Sequence, residues 1–127
     1  FSKTMDAIKL KDLIEYWDMY YNNDNTSLNP TSFAKYCLPL INKDSILLEL
    51  GCGNGRDSIF FAKNKISVYA SDISKTAIEK IKKNVDSEII GKMKFINDIK
   101  YNIKISATKI ITLKLFNFNS QAFVNLF

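Results

Sequence analysis

The stretch "LLELGCGNGRD", residues 47–57, closes an apolar run and then sets glycine at alternate positions 51, 53 and 55. Glycine carries no Cβ and adopts positive φ freely, so this spacing makes a turn whose backbone other groups can approach closely. The run before it, "SILLEL" at 45–50, is short and continuous with polar residues on both sides, as expected of a strand buried on both faces of a parallel sheet. After it, "DSIFFAKN" at 57–64 reads as a helix with Ile59, Phe60 and Ala62 turned inward. A strand, a glycine loop and a helix in that order aim the positive end of a helix at a carboxylate or phosphate.

Downstream the same rhythm repeats. "SVYAS", 67–71, reads as a second strand ending at Asp72. "SKTAIEKIKKNV" follows with Ser74 as N-cap, apolar Ala77, Ile78, Ile81 and Val85 at helical spacing, and Glu79 with Lys83 as an i,i+4 pair on the wet face. "MKFIN" after Gly91 reads as a third strand finishing at Asp98. This is the βαβαβ half of a Rossmann-like, doubly wound and mostly parallel sheet, whose ligands lie beyond the carboxyl ends of the strands. Glu49, the glycine loop, Asp72 and Asp98 all fall at those ends.

Upstream, "MDAIKLKDLIEYWDMYY" repeats Ile8, Leu10, Leu13, Ile14, Trp17 and Tyr21 as one helix face, and "NNDNTSLNP" breaks it. Asn29 and Pro30 read as N-cap and first helical residue of a second helix over about Thr31 to Leu38, which Pro39 ends or kinks. The chain thus divides into an N-terminal helical segment at 1–44, a core at 45–99 and a tail at 100–127. The start at Phe1 reads as a fragment boundary.

The chain of 127 residues suits one domain. No apolar run approaches the ~18 residues that cross a bilayer. Cys37 and Cys52 lack metal-ligand spacing and histidine is absent, which removes the common zinc sites and His-activated nucleophiles and points to reduced thiols in the cytoplasm. The net charge of +5 comes from scattered basic residues and reads in large part as composition. All 13 acids lie at or before Asp98, so the charge divides into +1 there and +4 in the tail. The tail alternates at Tyr101, Ile103 and Ile105 and again at Leu113, Leu115 and Phe118, which predicts one or two strands.

With these residues in hand, "LLELGCGNGRDS" resembles motif I of the class I S-adenosylmethionine-dependent methyltransferases. "VYASDIS" is similar to their second strand with its terminal acid, and "KFINDI" to the stretch whose acid meets the adenine. The resemblance covers about Ser45 to Ile99. It implies a cofactor site of Glu49, Gly51, Cys52, Gly53, Asn54, Gly55, Asp57, Asp72, Ile73, Asp98 and Ile99, with S-adenosylhomocysteine as product and no metal. In it Glu49 lies near the ammonium and sulfonium, Asp72 accepts from both ribose hydroxyls, Ile73 packs on the adenine, and Asp98 and the N–H of Ile99 meet its edge. Trp17, Tyr20 and Tyr21 stand where relatives carry a lid.

Each acid also has a plain structural reading: a strand-end charge, a helix-dipole partner, a solvated turn. Asp57 reads equally as a cap of the helix it begins, and Arg56 as a surface residue or a partner of the methionine carboxylate. No general base is nominated, and the catalytic residues are unknown. The expected activity is methyl transfer to a small molecule or sugar, in a chain truncated, frame-disrupted or unusually short after Asp98. Against it stand a cofactor-binding remnant or subunit without turnover, and a nucleic-acid-binding or nucleic-acid-modifying protein, disfavoured because the tail lysines are dispersed. An exposed strand edge in the tail would favour a homodimer.

Overall fold

A computed structural model of the chain describes residues 3–97, 110–115 and 122–126, with side-chain surroundings given for 9–97. The expectations for Asp98, Ile99, Tyr101, Ile103, Ile105 and Phe118 lie outside the described residues. Two helices, α1 (Lys3–Asn23) and α2 (Ser32–Cys37), precede the alternation β1 (Ile46–Leu50), α3 (Arg56–Lys63), β2 (Ser67–Ser71), α4 (Lys75–Asn84), α5 (Ser87–Ile90) and β3 (Met93–Ile96). Strands β4 (Ile110–Leu115) and β5 (Ala122–Leu126) complete a sheet in the order β3-β2-β1-β4-β5.

Strands β3, β2, β1 and β4 run parallel, and β5 returns antiparallel to β4. Strand order reverses at β1, with β2 on one side and β4 on the other, so the crevice at its carboxyl end is the topological switch point where doubly wound folds bind ligands. The expected half-sheet is therefore present. The tail contributes two strands: Leu113 and Leu115 fall in β4, and β5 carries a strand that the alternation in the sequence does not mark.

Burial explains the continuous apolar run of β1. Leu47 is fully buried on one face and Leu48 nearly so on the other, because helices cover the sheet. Phe61 (0% exposed) anchors the core with Val68, Ile66 and Ile81. Phe60 is only half-buried, so the inward residue of this pair is Phe61, because α3 packs against α2 and α5 as well as against β2.

Helix starts follow from their caps. Ser74 accepts from the N–H of Ala77 at 3.1 Å as expected. For α2 the cap is Thr31 and not Asn29: its hydroxyl accepts from the N–H of Ala34 at 3.1 Å, while its own N–H and O–H donate to the two carboxylate oxygens of Asp57 at 2.7 and 2.8 Å. A partner 26 residues away decides this cap, which local sequence cannot report. Pro39 sits within a 3-10 turn, Leu38–Leu40, that follows the end of α2 at Cys37. Glu79 pairs with Lys75 at 3.8 Å rather than with Lys83.

Gly55 caps α3 at φ +80, and a Cβ there would lie 2.6 Å from Cδ1 of the buried Ile81. Gly55→Ala is expected to cost about 1–3 kcal/mol from backbone strain and overpacking together. Urea unfolding would measure it, and Ile81→Val in the same chain should recover part of the loss.

Candidate cofactor site

Three strand ends and one helix converge on the glycine loop. Cys52 donates its N–H to the carbonyl of Ser71 at 2.9 Å, and Gly53 donates to Asp72 Oδ2 at 2.8 Å, so the loop after β1 is tied to the end of β2. Asp72 Oδ1 accepts from the N–H of Ser74 at 2.8 Å, and Asn97, just past β3, donates its amide to the carbonyls of Asp72 and Ile73 at 3.0 and 3.1 Å. One carboxylate thus joins the loop to the α4 turn, and one amide fastens the turn to the third strand.

Each glycine has its own neighbour. A Cβ at Gly53 (φ +56) would meet the Tyr21 hydroxyl at 2.5 Å, so the C-terminal turn of α1 lies against the loop. At Gly51 (φ +68) a Cβ would meet no atom of the described residues within 4 Å. That open side is where the backbone stands bare.

Glu49 is buried beneath this loop. Ser58 donates to its Oε2 at 2.8 Å, while Oε1 has no hydrogen-bond partner among the described residues. Burial pushes its carboxyl from 4.5 up to about 8; Ser58 opposes the shift, the carboxylates of Asp57 and Asp72 add to it, and Arg56 opposes it. An unpartnered buried carboxyl is costly, and a cation brought beside it relieves the cost.

The remaining groups are disposed differently. Asp72 is raised by burial, with the Ser74 and Gly53 N–H groups pulling the other way. Burial and the nearby Glu49 and Asp72 hold the Cys52 thiol well above its ordinary range, which keeps it protonated and unreactive. Asn54 serves its own turn, accepting from the N–H of Arg56 at 3.3 Å. Asp57, fully buried, spends both oxygens on Thr31. Ile73 is half-buried at the start of the α4 turn, and Arg56 is exposed.

α1 contributes more than Tyr21. Asp18 Oδ1 accepts from the Ser74 hydroxyl at 2.6 Å and the N–H of Thr76 at 3.2 Å, and Lys80 Nζ donates to the carbonyls of Asn22 and Asp24 at 3.3 and 3.0 Å. Trp17 stacks on Tyr21 with centroids 5.9 Å apart, and burial followed by the charge of Asp72 pushes the Tyr21 phenol up, so it stays a neutral donor. Asp18, Ser58 and Asn97 are residues of this arrangement that the sequence did not single out, and Ser74, read there as a cap, also bonds Asp72 and Asp18.

The sequence model of the methyltransferase domain matches residues 47–117, from within β1 through β4. This chain belongs to the methyltransferase domain family. A tRNA/tmRNA (uracil-C(5))-methyltransferase of Sulfurimonas denitrificans is 26% identical over 113 residues, covering 89% of this chain and 29% of that protein. The crystal structure of the glycopeptide N-methyltransferase MtfA matches 56% of this chain and 35% of its own at 20% identity and a TM-score of 0.47. The same enzyme complexed with sinefungin matches 75% and 40% at 17% identity and a TM-score of 0.48. The chain spans less than half the length of each of these proteins.

The cofactor of this methyltransferase domain is S-adenosylmethionine. The orphaned Oε1 of Glu49, the bare side of Gly51 and the carboxylate of Asp72 fit a ligand that is cationic at one end and hydroxylated in the middle. Among the described residues no group of three His, Cys, Asp or Glu could hold a metal, and no helix is long and apolar enough to cross a membrane.

Because the carboxyl of Glu49 ionises near 8 in the fold and near 4.5 when unfolded, its stabilising neutral form is fully present below the lower value and lost as pH rises through the higher. Stability should fall between about pH 4.5 and 8, and Glu49→Gln, which keeps an acceptor for Ser58, should reduce that slope and exceed the parent at pH 8. Thermal melts across pH 5–9 test this; parallel profiles for the two proteins would contradict it. Asp72 shifts in the same direction and leaves a residual slope.

Proposed function

We propose that the chain transfers a methyl group from S-adenosylmethionine to a small molecule or a sugar, and that residues 45–99 form its cofactor-binding half. The observation that carries the reading is Glu49, a buried carboxyl with one oxygen unpartnered among the described residues, under a glycine loop whose Gly51 face no described residue covers. When bound, S-adenosylmethionine supplies a methyl group made electrophilic by its sulfonium. On that reading Glu49 gives up its proton and faces the cationic end, and Gly51 lets the methionine part lie on the backbone.

Asp72 has capacity for a ribose. A carboxylate offers about four lone-pair sites. The N–H groups of Gly53 and Ser74 take two, one on each oxygen, which leaves one per oxygen for two vicinal hydroxyls. Ile73 packs on the adenine, while Asp98 and Ile99 recognise its edge. Arg56 stands beside the loop for the methionine carboxylate.

Transfer breaks the sulfur–methyl bond, forms a bond from the acceptor heteroatom to the methyl carbon, and releases a neutral thioether with the acceptor's proton passing to water or a base. The protein's part is in-line positioning and exclusion of water. Trp17, Tyr20 and Tyr21 serve the second purpose as a cover on the loop, a role supported by the contact of Tyr21 with Gly53.

A second reading, a nucleic-acid acceptor, is favoured by the tRNA/tmRNA-modifying relative. Transfer of labelled methyl from S-adenosylmethionine to either RNA or a small-molecule extract separates the two. A chain that binds the cofactor and labels neither is the remnant or subunit of the third reading.

Calorimetry should give one site for S-adenosylmethionine and for S-adenosylhomocysteine; no heat and no competition at millimolar cofactor would remove the reading. Asp72→Asn is expected to weaken binding about tenfold or more, from charge-assisted bonds worth about 1.5–3 kcal/mol. Gly51→Ala should weaken binding about tenfold or more while costing only about 1–2 kcal/mol of stability, since its Cβ meets a positive φ but no atom of the described residues within 4 Å.

A further inference from the structure

A second hollow, of about 460 Å³, lies at the opposite end of the sheet from the glycine loop. Leu38, Ile41 and Ile66 line it together with three lysines, Lys43, Lys63 and Lys65. Lys43 stands just ahead of β1, Lys63 ends α3, and Lys65 precedes β2, so three chain segments bring these cations together at the amino ends of the strands. None of the three amines is in an ion pair with a described carboxylate.

The C-terminus of α3 accounts for part of this charge. A helix end carries about half a negative charge. Its last carbonyls already accept from the N–H groups of Asn64, Lys65 and Ile66 and from the Asn64 amide. Asp44, exposed beside Lys43, offsets one more charge. Against three lysines this leaves a surplus of roughly one and a half positive charges over an apolar floor. Lys65 adds a second oddity: at φ +66 it takes the left-handed position after a helix where glycine is least strained, and it places an amine on the rim there.

We propose that this hollow binds a nucleotide phosphate, with the lysines on the phosphate and the apolar floor under the base or sugar. Lysine meets phosphate as a point charge without fixed geometry, which suits a rim of three converging side chains. The phosphate belongs either to a free nucleotide or to a strand of RNA, and one experiment separates these sources. The site is independent of the cofactor crevice and of the identity of the methyl acceptor.

The test titrates the full chain with uridine monophosphate and with a short single-stranded RNA, followed by fluorescence competition in saturating S-adenosylhomocysteine so that the crevice is blocked. The variant is Lys43→Gln/Lys63→Gln/Lys65→Gly, in which the glycine relieves the positive φ while the charge is removed. Affinity for the bound probe should fall about tenfold or more, the salt dependence should become shallower, and the melting temperature should hold or rise. Binding of S-adenosylhomocysteine, titrated separately, should be unchanged in the variant. Lys11→Gln/Lys75→Gln, which removes one exposed lysine in α1 and one in the first turn of α4, away from the amino ends of the strands, should leave probe affinity within about twofold. Binding of the mononucleotide assigns the free ligand, and binding of RNA alone assigns the strand. No binding of either probe, an unchanged triple variant, or an equal loss in the control pair would overturn the proposal.

Discussion

The carboxylate of Asp72 is shared between two loops. One oxygen holds the N–H of Gly53 and the other the N–H of Ser74, so the turn after β1 and the turn after β2 cannot separate without stranding two buried donors. Unsatisfied groups of that kind cost about 1–3 kcal/mol each. The bonds made with Cys52 and Asn97 extend the tie on either side. The crevice therefore has fixed walls before any ligand enters, and the preorganisation is made from backbone amides, which keep their direction.

Beneath those walls the charges are unequal. Glu49 and Asp72 are both raised by burial, whereas Asp57 has its oxygens occupied by Thr31. Three acids that look equivalent along the chain have three duties: one holds a proton for want of a partner, one bridges two turns, and one docks a helix. Their difference lies in what each has already accepted. Among the described residues Glu49 has a single donor, and it is the acid with the most to gain from a cation.

The half-sheet was legible because its signals are local. The apolar run of β1, the alternate glycines and the Ser74 cap each lie within a few residues of the structure they specify. Failures were of the other kind. Thr31 displaced Asn29 as a cap because Asp57 reaches it across 26 positions, and Phe61 displaced Phe60 in the core because α3 packs on two helices as well as the sheet. The Glu79 pair went to Lys75, since both i+4 and i−4 lysines were within reach on an exposed face. The glycine motif led to the cofactor, but the aromatic contact at Gly53 comes from a helix that ends 30 residues before it and leaves no spacing to read.

The cap of α4 has a consequence for how the chain is divided. Ser74 serves the helix it begins, and its hydroxyl proton is given in turn to Asp18, which also takes the N–H of Thr76. The first turn of α4 is thus completed by a residue from α1, more than 50 positions earlier in the chain. A helix that reads as an appendage to the nucleotide-binding fold is, in its hydrogen bonding, a missing piece of it. Cutting the chain between residues 23 and 31 would look like trimming a linker and would unmake the start of the helix behind Asp72.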